Sequence, residues 1–314
     1  MGKPVVYIDG KEGTTGLQIY DRLADRDDIA LLLIDEAKRK DTAERKKLMN
    51  AADLVFLCLP DAAAVEAVGL VENPDTRIID ASTAHRTAPG WVYGFPELGK
   101  EQREAIRSAK RVANPGCYAT GLISLAAPLV KSGVLPANAP LMCHAVSGYT
   151  GGGKKAIAQY EAEEREAELV SPRHYAVTLA HKHIPEMMQV CGLTRKPVFM
   201  PMICDFPQGM VVTVPLYLDM LNGTQTLDTL RAVYRDFYEG ARFVTVRPDD
   251  APVCGFIGSN NLAGTNDLQI FVCGNEEQVM LASRLDNLGK GASGAAVQNM
   301  NLMLGFDETK ELNI

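Results

Sequence analysis

Short apolar runs alternate with helix-like segments through the first third of the chain, and this alternation constrains the fold more than any other feature. Residues 29–34 (IALLLI) and 54–59 (LVFLCL) are continuous apolar runs, as expected of strands covered on both faces. Residues 4–9 (PVVYID) and 77–80 (RIID) indicate two further strands. Strand and helix patterns at this spacing are typical of a doubly wound parallel sheet. We therefore predict an α/β fold that begins with a Rossmann-like domain.

Between the strands of the first third, helices are predicted at 17–24, 38–49 and 62–71.

The rest of the chain has longer strand patterns and predicts a second, α+β domain. Later strands are predicted at 140–146, 198–203, 210–218, 243–246 and 268–273. Later helices are predicted at 118–131, 154–169, 226–238, 278–288 and 292–304.

Composition excludes several classes of function. The 32 basic residues against 39 acidic ones give a net charge of -7, and aromatic residues make up only 6% of the 314. These values argue against a nucleic-acid-binding protein or an anionic-membrane binder. No stretch approaches the ~18 apolar residues of a membrane span. The start of the chain has no signal-peptide layout, so we expect a cytoplasmic protein.

The seven cysteines do not form a disulfide framework or a zinc site. Their number is odd and no two are spaced as CxxC, so in a reducing compartment most should be small buried hydrophobes. No metal is expected. The cysteines are Cys58, Cys117, Cys143, Cys191, Cys204, Cys254 and Cys273.

A glycine turn joins the first predicted strand to the first predicted helix. Gly10, Gly13 and Gly16 leave room for a pyrophosphate at the helix N-terminus, and Thr14 and Thr15 add hydroxyl donors. The spacing is G-x-x-G-x-x-G rather than G-x-G-x-x-G, and a plain tight turn is the alternative. Its position at the first strand–helix junction favours a nucleotide site.

Two rules conflict over the choice between NAD and NADP. The second strand is followed by Asp35 and Glu36, and an acid there accepts the ribose 2′-hydroxyl of NAD. Lys38, Arg39 and Lys40 follow at once and could hold the 2′-phosphate of NADP. A solvated helix start is the alternative for these three basic residues.

Cys117 differs from the other cysteines in its position. The preceding residues, Asn114, Pro115 and Gly116, form a turn that brings Cys117 to the start of an apolar helix. The positive end of the helix dipole favours the thiolate, which is the nucleophilic form. We predict that Cys117 is a catalytic nucleophile, with a packed structural thiol as the alternative.

Two histidines concentrate in one short segment. In an extended chain His181 and His183 would point the same way, and Glu186 could orient an imidazole. A nucleophilic cysteine requires a nearby acid or base, which this pair could supply. A metal site and a surface loop are the alternatives.

Polar loops provide candidate anion sites. Arg86 follows the fourth strand, at the edge where such sheets bind ligands, and arginine suits carboxylate or phosphate. Ser147 and Gly148 open a hydroxyl- and glycine-rich loop that could form an anion nest. Either segment could instead be an ordinary polar loop.

Taken together, these motifs resemble those of the N-acetyl-γ-glutamyl-phosphate reductases, in the shorter form of a family related to the aspartate-semialdehyde dehydrogenases. The segments that carry the resemblance span nearly the whole chain. They are the glycine turn, STAHR (82–86), YGFPEL (93–98), NPGCY (114–118), Ser147-Gly148, HKHIPE (181–186) and the C-terminal DNLGKGASGAAVQN (286–299).

The resemblance implies a fold, a reaction and ligands. It implies an NADP-binding domain of residues 1–116 with 285–314, the final helix folding back onto it, and a catalytic and oligomerisation domain of residues 117–284. It implies NADPH-dependent reduction of N-acetyl-γ-glutamyl phosphate to N-acetylglutamate 5-semialdehyde and phosphate, in arginine biosynthesis, with Cys117 carrying the acyl group. It adds Gly291 and Asn299 to the cofactor-binding residues, and we expect a homodimer or homotetramer that binds neither nucleic acid nor membrane.

Some assignments stay open at this point. Either His181 or His183 could be the acid/base, with a slight preference for His183. Arg86, Ser147, Gly148 and Glu186 are the candidate substrate-binding residues, in a site expected between the two domains. Other readings are a semialdehyde dehydrogenase acting on aspartyl phosphate and a non-catalytic NADP-binding redox sensor.

Overall fold

Contacts between Cα atoms divide the chain into two units. The computed structural model describes residues 2–248 and 255–313, so Cys254 and the two terminal residues of the predicted first domain lie outside the described residues. The first unit comprises Met1–Pro96, Lys100–Pro115 and Ala292–Leu312. The second comprises Glu97–Gly99, Gly116–Gly291 and Asn313–Ile314.

The first unit is built on a six-stranded sheet in which every paired strand is parallel. Its spatial order is β2-β1-β3-β4-β6-β5. This order and the connecting helices confirm the predicted α/β class. The strands are β1 (Val5–Asp9), β2 (Ala30–Leu32), β3 (Leu54–Leu57), β4 (Arg77–Asp80), β5 (Val92–Tyr93) and β6 (Arg111–Ala113). The helices are α1 (Thr14–Leu23), α2 (Thr42–Ala51), α3 (Asp61–Leu70), α4 (Lys100–Ser108) and α9 (Gly294–Leu304).

The second predicted strand differs from the expectation of burial on both faces. β2 has only three residues, all partly exposed, and Leu33 beyond it is exposed. The reason is its place at the sheet edge, where, among the described residues, it pairs with β1 alone. By contrast, all four residues of β3, between β1 and β4, are buried.

The second unit contains a seven-stranded mixed sheet in the order β11-β12-β13-β10-β7-β9-β8. Helix α5 packs on one face so closely that a Cβ at Gly121 would lie 2.3 Å from Val212 Cγ2. The strands are β7 (Met142–Gly148), β8 (Arg173–His174), β9 (Val198–Cys204), β10 (Met210–Tyr217), β11 (Val244–Val246), β12 (Leu268–Gly274) and β13 (Gln278–Leu285). The helices are α5 (Cys117–Lys131), α6 (Gly153–Tyr160), α7 (Ile184–Cys191) and α8 (Leu227–Phe237).

The helix predicted at 278–288 is wrong, because this segment is strand β13. It pairs antiparallel with β10 along Met210↔Leu285 to Tyr217↔Gln278, and with β12 on its other side. Leu, Ala and Met favour helix locally, but ladder pairing on both sides overrides that weak preference.

The helix predicted at 154–169 is also wrong over its second half. Helix α6 ends at Tyr160, whose ring stacks on Tyr149 at 4.8 Å. Arg165 then donates to the carbonyl of Tyr160 and pairs with Asp205. The charged residues after Tyr160 therefore form a loop held by specific bonds rather than a solvated helix.

Residues 285–291, grouped with the first domain in the sequence analysis, have their contacts in the second unit. β13 runs through Leu285, and the Asp286 carboxylate accepts the N–H of Gly264 at 2.9 Å. Helix α9, from Gly294, has its contacts in the first unit.

In the described part of the chain, no helix combines the length and the apolar character that a membrane crossing requires.

Candidate active site

Cys117 is the first residue of α5, and its side chain is partly exposed. Gly116 caps the helix in an extended conformation, so the thiol lies at the positive end of the helix. Two other thiols lack this environment: burial raises the pKa of Cys143 and raises that of Cys191 to about 12. Because burial disfavours the thiolate, neither of them is suited to nucleophilic attack.

The backbone just before the cysteine turn is fixed within the first unit by Asn114. Its N–H donates to the carbonyl of Asp80 at 2.8 Å, and its Nδ2 donates to the carbonyl of Ala292 at 2.9 Å. Its Oδ1 accepts from Asn299 Nδ2 at 3.2 Å, and its carbonyl accepts from Arg86 Nε at 2.9 Å. All four polar groups of this residue are therefore used in positioning the chain.

Arg86, predicted to bind an anion, lies in a loop that is held by hydrogen bonds and ring stacking. Its Nη2 also donates to the carbonyl of Ala81. The preceding His85 binds Asp80 through Nδ1 at 2.6 Å and stacks on Trp91 at 4.2 Å between ring centroids. The guanidinium thus has a defined position, which an anion handle requires.

Glu186 lies in the first turn of α7 and is buried. Its Oε2 accepts the N–H of Gly116 at 3.2 Å, one residue before the candidate nucleophile. The predicted substrate-binding carboxylate therefore has a backbone partner that joins the start of α7 to the start of α5.

Tyr118 brings the two histidines to the first turn of α5. Its ring centroid lies 5.7 Å from that of His181 and 6.0 Å from that of His183. Burial raises the pKa of Tyr118, and the charges of Tyr175 and Cys117 add to the shift. Burial also raises the pKa of Tyr175, with a further contribution from Cys117. The thiol, the two phenols and the two imidazoles thus form one cluster in the second unit.

The two histidines approach each other through a turn rather than an extended segment. Their ring centroids are 4.6 Å apart with planes at 84°, and His183 caps α7 in a helical conformation. The sequence argument from alternation along a strand was therefore wrong in its geometry.

Hydrogen bonds assign a tautomer to His181. The backbone N–H of His183 donates to His181 Nδ1 at 3.1 Å, so that nitrogen carries no proton. In the neutral ring the proton is then on Nε2, which lies 3.4 Å from the Tyr175 hydroxyl. The bond from the backbone therefore makes the Nε2 of His181 a donor rather than a base.

Ser147 and Gly148 end strand β7 in the same unit. Ser147 is buried and hydrogen-bonds Tyr118, which lowers the pKa of that phenol against the larger effect of burial. A Cβ at Gly148 would lie 2.5 Å from the carbonyl oxygen of Pro207, so only glycine fits there. The loop that follows is held by Asn287, whose Nδ2 donates to Thr150 Oγ1.

The glycine turn of the first unit has the shape of a backbone cradle. Gly10 has φ +84°, and a Cβ on it would lie 2.5 Å from the carbonyl oxygen of Cys58. A Cβ on Gly16 would lie 2.5 Å from the Gly10 carbonyl oxygen, while Gly13 has ordinary space and donates its N–H to Gly10. Helix α1 starts at Thr14, followed by Thr15, so its first N–H groups open toward this turn. The residues therefore fit a pyrophosphate.

Asp35 is used locally. Its carboxylate accepts the N–H of Ala37 at 3.0 Å and caps a short 3₁₀ turn, Glu36–Lys38. Arg39 is exposed, and its guanidinium lies 3.5 Å from the Glu36 carboxylate. Such an exposed pair is weak, so Arg39 is available to a stronger anion.

Gly291 and Asn299, which the family resemblance assigns to the cofactor, pack against other protein groups in this structure. A Cβ on Gly291 would be 2.7 Å from Cys117 Cβ, so this glycine packs on the candidate nucleophile. Asn299 is fully buried and donates to the carbonyl of Gly94 as well as to Asn114. Among the described residues, no group of three or more His, Cys, Asp and Glu side chains could hold a metal ion.

Sequence reasoning did not assign roles to several residues of the site. Asn114 and Tyr118 belong to the motif around Cys117, so the sequence already indicated that they lie near this cysteine. Tyr175 precedes His181 by six positions, and only the folded chain brings it to Cys117.

Family models match both units. Residues 117–287 match the semialdehyde dehydrogenase dimerisation domain. Residues 33–109 match the semialdehyde dehydrogenase NAD binding domain.

Curated relatives match over almost the whole chain. N-acetyl-gamma-glutamyl-phosphate reductase 2 of Pseudomonas putida is 50% identical over 308 residues, covering 97% of this chain and 98% of that protein. The chain belongs to the N-acetyl-γ-glutamyl-phosphate reductase family. A reductase of the same name from Nostoc is 48% identical, covering 98% of this chain and 99% of that protein. The Brucella anthropi reductase is 51% identical, covering 96% and 99%.

Solved structures give the same fold at low identity. Aspartate semialdehyde dehydrogenase II of Vibrio cholerae, complexed with ASA, has a TM-score of 0.73 at 13% identity and covers 97% of this chain and 99% of its own. The Francisella tularensis enzyme has a TM-score of 0.70 at 14% identity, covering 95% and 99%. The family resemblance is confirmed, and the cofactor of such a reductase is a nicotinamide nucleotide.

The tautomer of His181 is open to direct measurement. Nitrogen NMR of protein with isotope-labelled histidine should assign a protonated Nε2 and an unprotonated Nδ1 to His181, because Nδ1 accepts the His183 N–H. The signal is identified by its loss in His181→Asn. A protonated Nδ1 in the neutral ring would contradict the assignment.

Proposed function

We propose that this protein is an NADPH-dependent N-acetyl-γ-glutamyl-phosphate reductase that works through a thioester on Cys117. The observation that carries the proposal is the partly exposed thiol at the start of α5, clustered with two tyrosines and two histidines. Relatives with this name, about half identical over the full length, support the choice of substrate.

The first chemical step is attack by the Cys117 thiolate on the acyl phosphate carbonyl. The new C–S bond forms as the bond to the phosphate oxygen breaks, leaving a thioester and inorganic phosphate. The helix N-terminus favours the thiolate and the charge that develops on the carbonyl oxygen. Arg86 and the loop from Ser147 are the proposed anion-binding groups.

The second step is reduction of the thioester. NADPH held at the glycine turn, Gly10 to Gly16, would supply a hydride to the thioester carbonyl carbon. The oxygen of the resulting hemithioacetal takes a proton from the acid/base residue. When the C–S bond breaks, the same residue takes this proton back. The aldehyde leaves and the Cys117 thiolate is regenerated.

We assign the acid/base to His183 and a positioning role to His181. The bond from the His183 backbone to His181 Nδ1 leaves His181 with a donor at Nε2 directed to Tyr175. A general base needs a ring nitrogen that can accept a proton in the neutral state. Both nitrogens of His181 have partners, which supports a positioning role for this ring.

The nucleophile assignment predicts loss of turnover in Cys117→Ser. Serine is a far weaker nucleophile here, so phosphate-dependent reduction of NADP⁺ with N-acetylglutamate semialdehyde should be abolished while NADPH binding, followed by fluorescence titration, is retained. Cys273→Ala, on strand β12, is the control and should stay active. Wild-type rates in Cys117→Ser would overturn the covalent mechanism.

The same assay separates the rival functions. A redox sensor would bind NADPH without phosphate-dependent turnover. A dehydrogenase for aspartyl phosphate would prefer aspartate semialdehyde in a substrate panel.

The histidine assignment predicts unequal losses. His183→Asn should lower kcat by about 10²–10⁴-fold, the usual contribution of a positioned acid or base. In His181→Asn the amide oxygen can still accept the His183 N–H, so kcat should fall by no more than about tenfold, equivalent to one hydrogen bond. Steady-state kinetics of the two variants test this. A larger loss in His181→Asn would reverse the roles.

We propose NADP rather than NAD as the preferred cofactor, because Asp35 is occupied as a helix cap and Arg39 has only a weak partner. Arg39→Ser should raise KM for NADPH by about 10- to 100-fold, the value of one charge-assisted bond, without changing KM for NADH. Arg107→Ser, an exposed arginine on α4, is the control. Equal or better kcat/KM with NADH in the wild type would contradict the proposal.

We further propose that a second copy of the chain covers the face of the seven-stranded sheet opposite α5. Exposed apolar side chains lie along this face, beside a cleft, in the region that matches the dimerisation-domain family. They include Met142, Val198, Tyr217 and Met280, and the cleft is lined by Met142, Pro215, Tyr217, Met220 and Met280.

Tyr217→Asp should convert the oligomer to monomer in sedimentation experiments, because a buried carboxylate is costly in an apolar interface. Tyr217 is 53% exposed in the single chain, and Leu33→Asp, at a residue 56% exposed in the first unit, is the matched control. An unchanged sedimentation coefficient in Tyr217→Asp would place the interface elsewhere.

A further inference from the structure

A buried ion pair in the second unit has no part in the chemistry described above. Lys290 Nζ lies 2.7 Å from Glu97 Oε1, and the two side chains are only 1% and 0% exposed. The ammonium also lies 5.3 Å from the centroid of the Phe243 ring. Removing two charges from water is costly, so a buried pair is often no more stabilising than apolar residues of the same size. Stability alone is therefore a poor explanation for this pair.

Lys290 belongs to an unusual backbone turn. Gly289–Ser293 is π-helical, a rare conformation that occurs most often as a bulge at functional sites. Asp286 holds its start: the carboxylate accepts the N–H of Gly289 at 3.1 Å, and the backbone carbonyl accepts the N–H of Gly291 at 2.9 Å. The ion pair to Glu97 is a second attachment, made from the middle of the turn.

The turn packs directly on the proposed nucleophile. A Cβ at Gly291 would lie 2.7 Å from Cys117 Cβ and 3.3 Å from Cys117 Cα. Gly291 therefore forms one wall of the space around the Cys117 side chain. Because packed groups transmit small displacements, a shift of this wall changes which rotamers the Cys117 sulfur can adopt.

We propose that Lys290 and Glu97 are positioning residues for Cys117. Their ion pair fixes the Gly289–Ser293 turn, the turn holds Gly291 against Cys117, and Gly291 restricts the sulfur to the orientation used for attack. This inference rests on the proposed function only in taking Cys117 as the nucleophile.

The test compares Glu97→Gln, Lys290→Met and the double variant. For each, the rate of Cys117 alkylation by iodoacetamide is followed by mass spectrometry of the Cys117 peptide, alongside kcat, KM and the urea unfolding midpoint. We expect kcat to fall by about 10- to 100-fold with a smaller change in KM, since small misplacements of a reacting group cost this much. Cys117 alkylation should slow in parallel.

The double variant separates positioning from stability. It leaves no uncompensated charge, so it should regain much of the unfolding midpoint lost in the single variants. A positioning role keeps its kcat and alkylation rate low. Recovery of kcat and alkylation together with stability would overturn the proposal.

A matched control removes another buried cation of the same unit. Arg231 on α8 binds Asp228 and the carbonyl of Val272. Arg231→Met should lower the unfolding midpoint while kcat and Cys117 alkylation stay at wild-type values. Equal losses of alkylation in Arg231→Met and Lys290→Met would mean a general effect of stability and would also overturn the proposal.

If the ion-pair variants do not fold, Gly291→Ala and Lys290→Arg decide the question. Gly291→Ala changes the packing on Cys117 without altering the charges, and it should slow Cys117 alkylation. Lys290→Arg keeps the positive charge, so its alkylation rate should stay closer to wild type than that of Lys290→Met. Normal alkylation in Gly291→Ala would refute the inference. Normal turnover in Cys117→Ser would instead remove the proposed function, and the alkylation rates would still report on the position of the thiol.

Discussion

The hydrogen bond from the Gly116 N–H to the Glu186 carboxylate joins the N-termini of two helices, and the arrangement of the proposed catalytic cluster depends on it. Helix α5 begins at Cys117, and helix α7 begins directly after His183. With the two helix starts tied together, residues distant in sequence meet at the first turn of α5. The buried carboxylate also places a negative group near two positive helix ends, where the macrodipoles stabilise it. One bond therefore serves both the packing and the electrostatics of the cluster.

Space, rather than backbone conformation, explains several glycines at the two sites. Gly16, Gly148 and Gly291 have no strongly positive φ, yet a Cβ on each would lie within 3 Å of another atom. At Gly16 that atom is a backbone oxygen of the glycine turn, and at Gly291 it is the Cβ of Cys117. Both the glycine turn and the neighbourhood of the thiol therefore depend on close packing that a Cβ would prevent.

The sequence predicted the parts of the protein whose signals are local. Buried strands such as β3 and the cysteine at a helix start follow from runs of apolar residues and a Pro-Gly turn. Strand β13 was mistaken for a helix because its identity comes from pairing with β10 and β12, which are distant in the chain. The Lys290–Glu97 pair joins residues 193 positions apart, and no spacing rule indicates it. Long-range pairing and burial are therefore what the sequence alone could not supply.

The bond between the His183 backbone and His181 Nδ1 has a consequence for substitutions at position 181. A backbone N–H can only donate, so its partner must offer a lone pair. A side chain at position 181 that carries no acceptor would remove this bond at the start of α7. The first turn of α7 therefore limits the choice of side chain at this position on grounds separate from the chemistry of the imidazole.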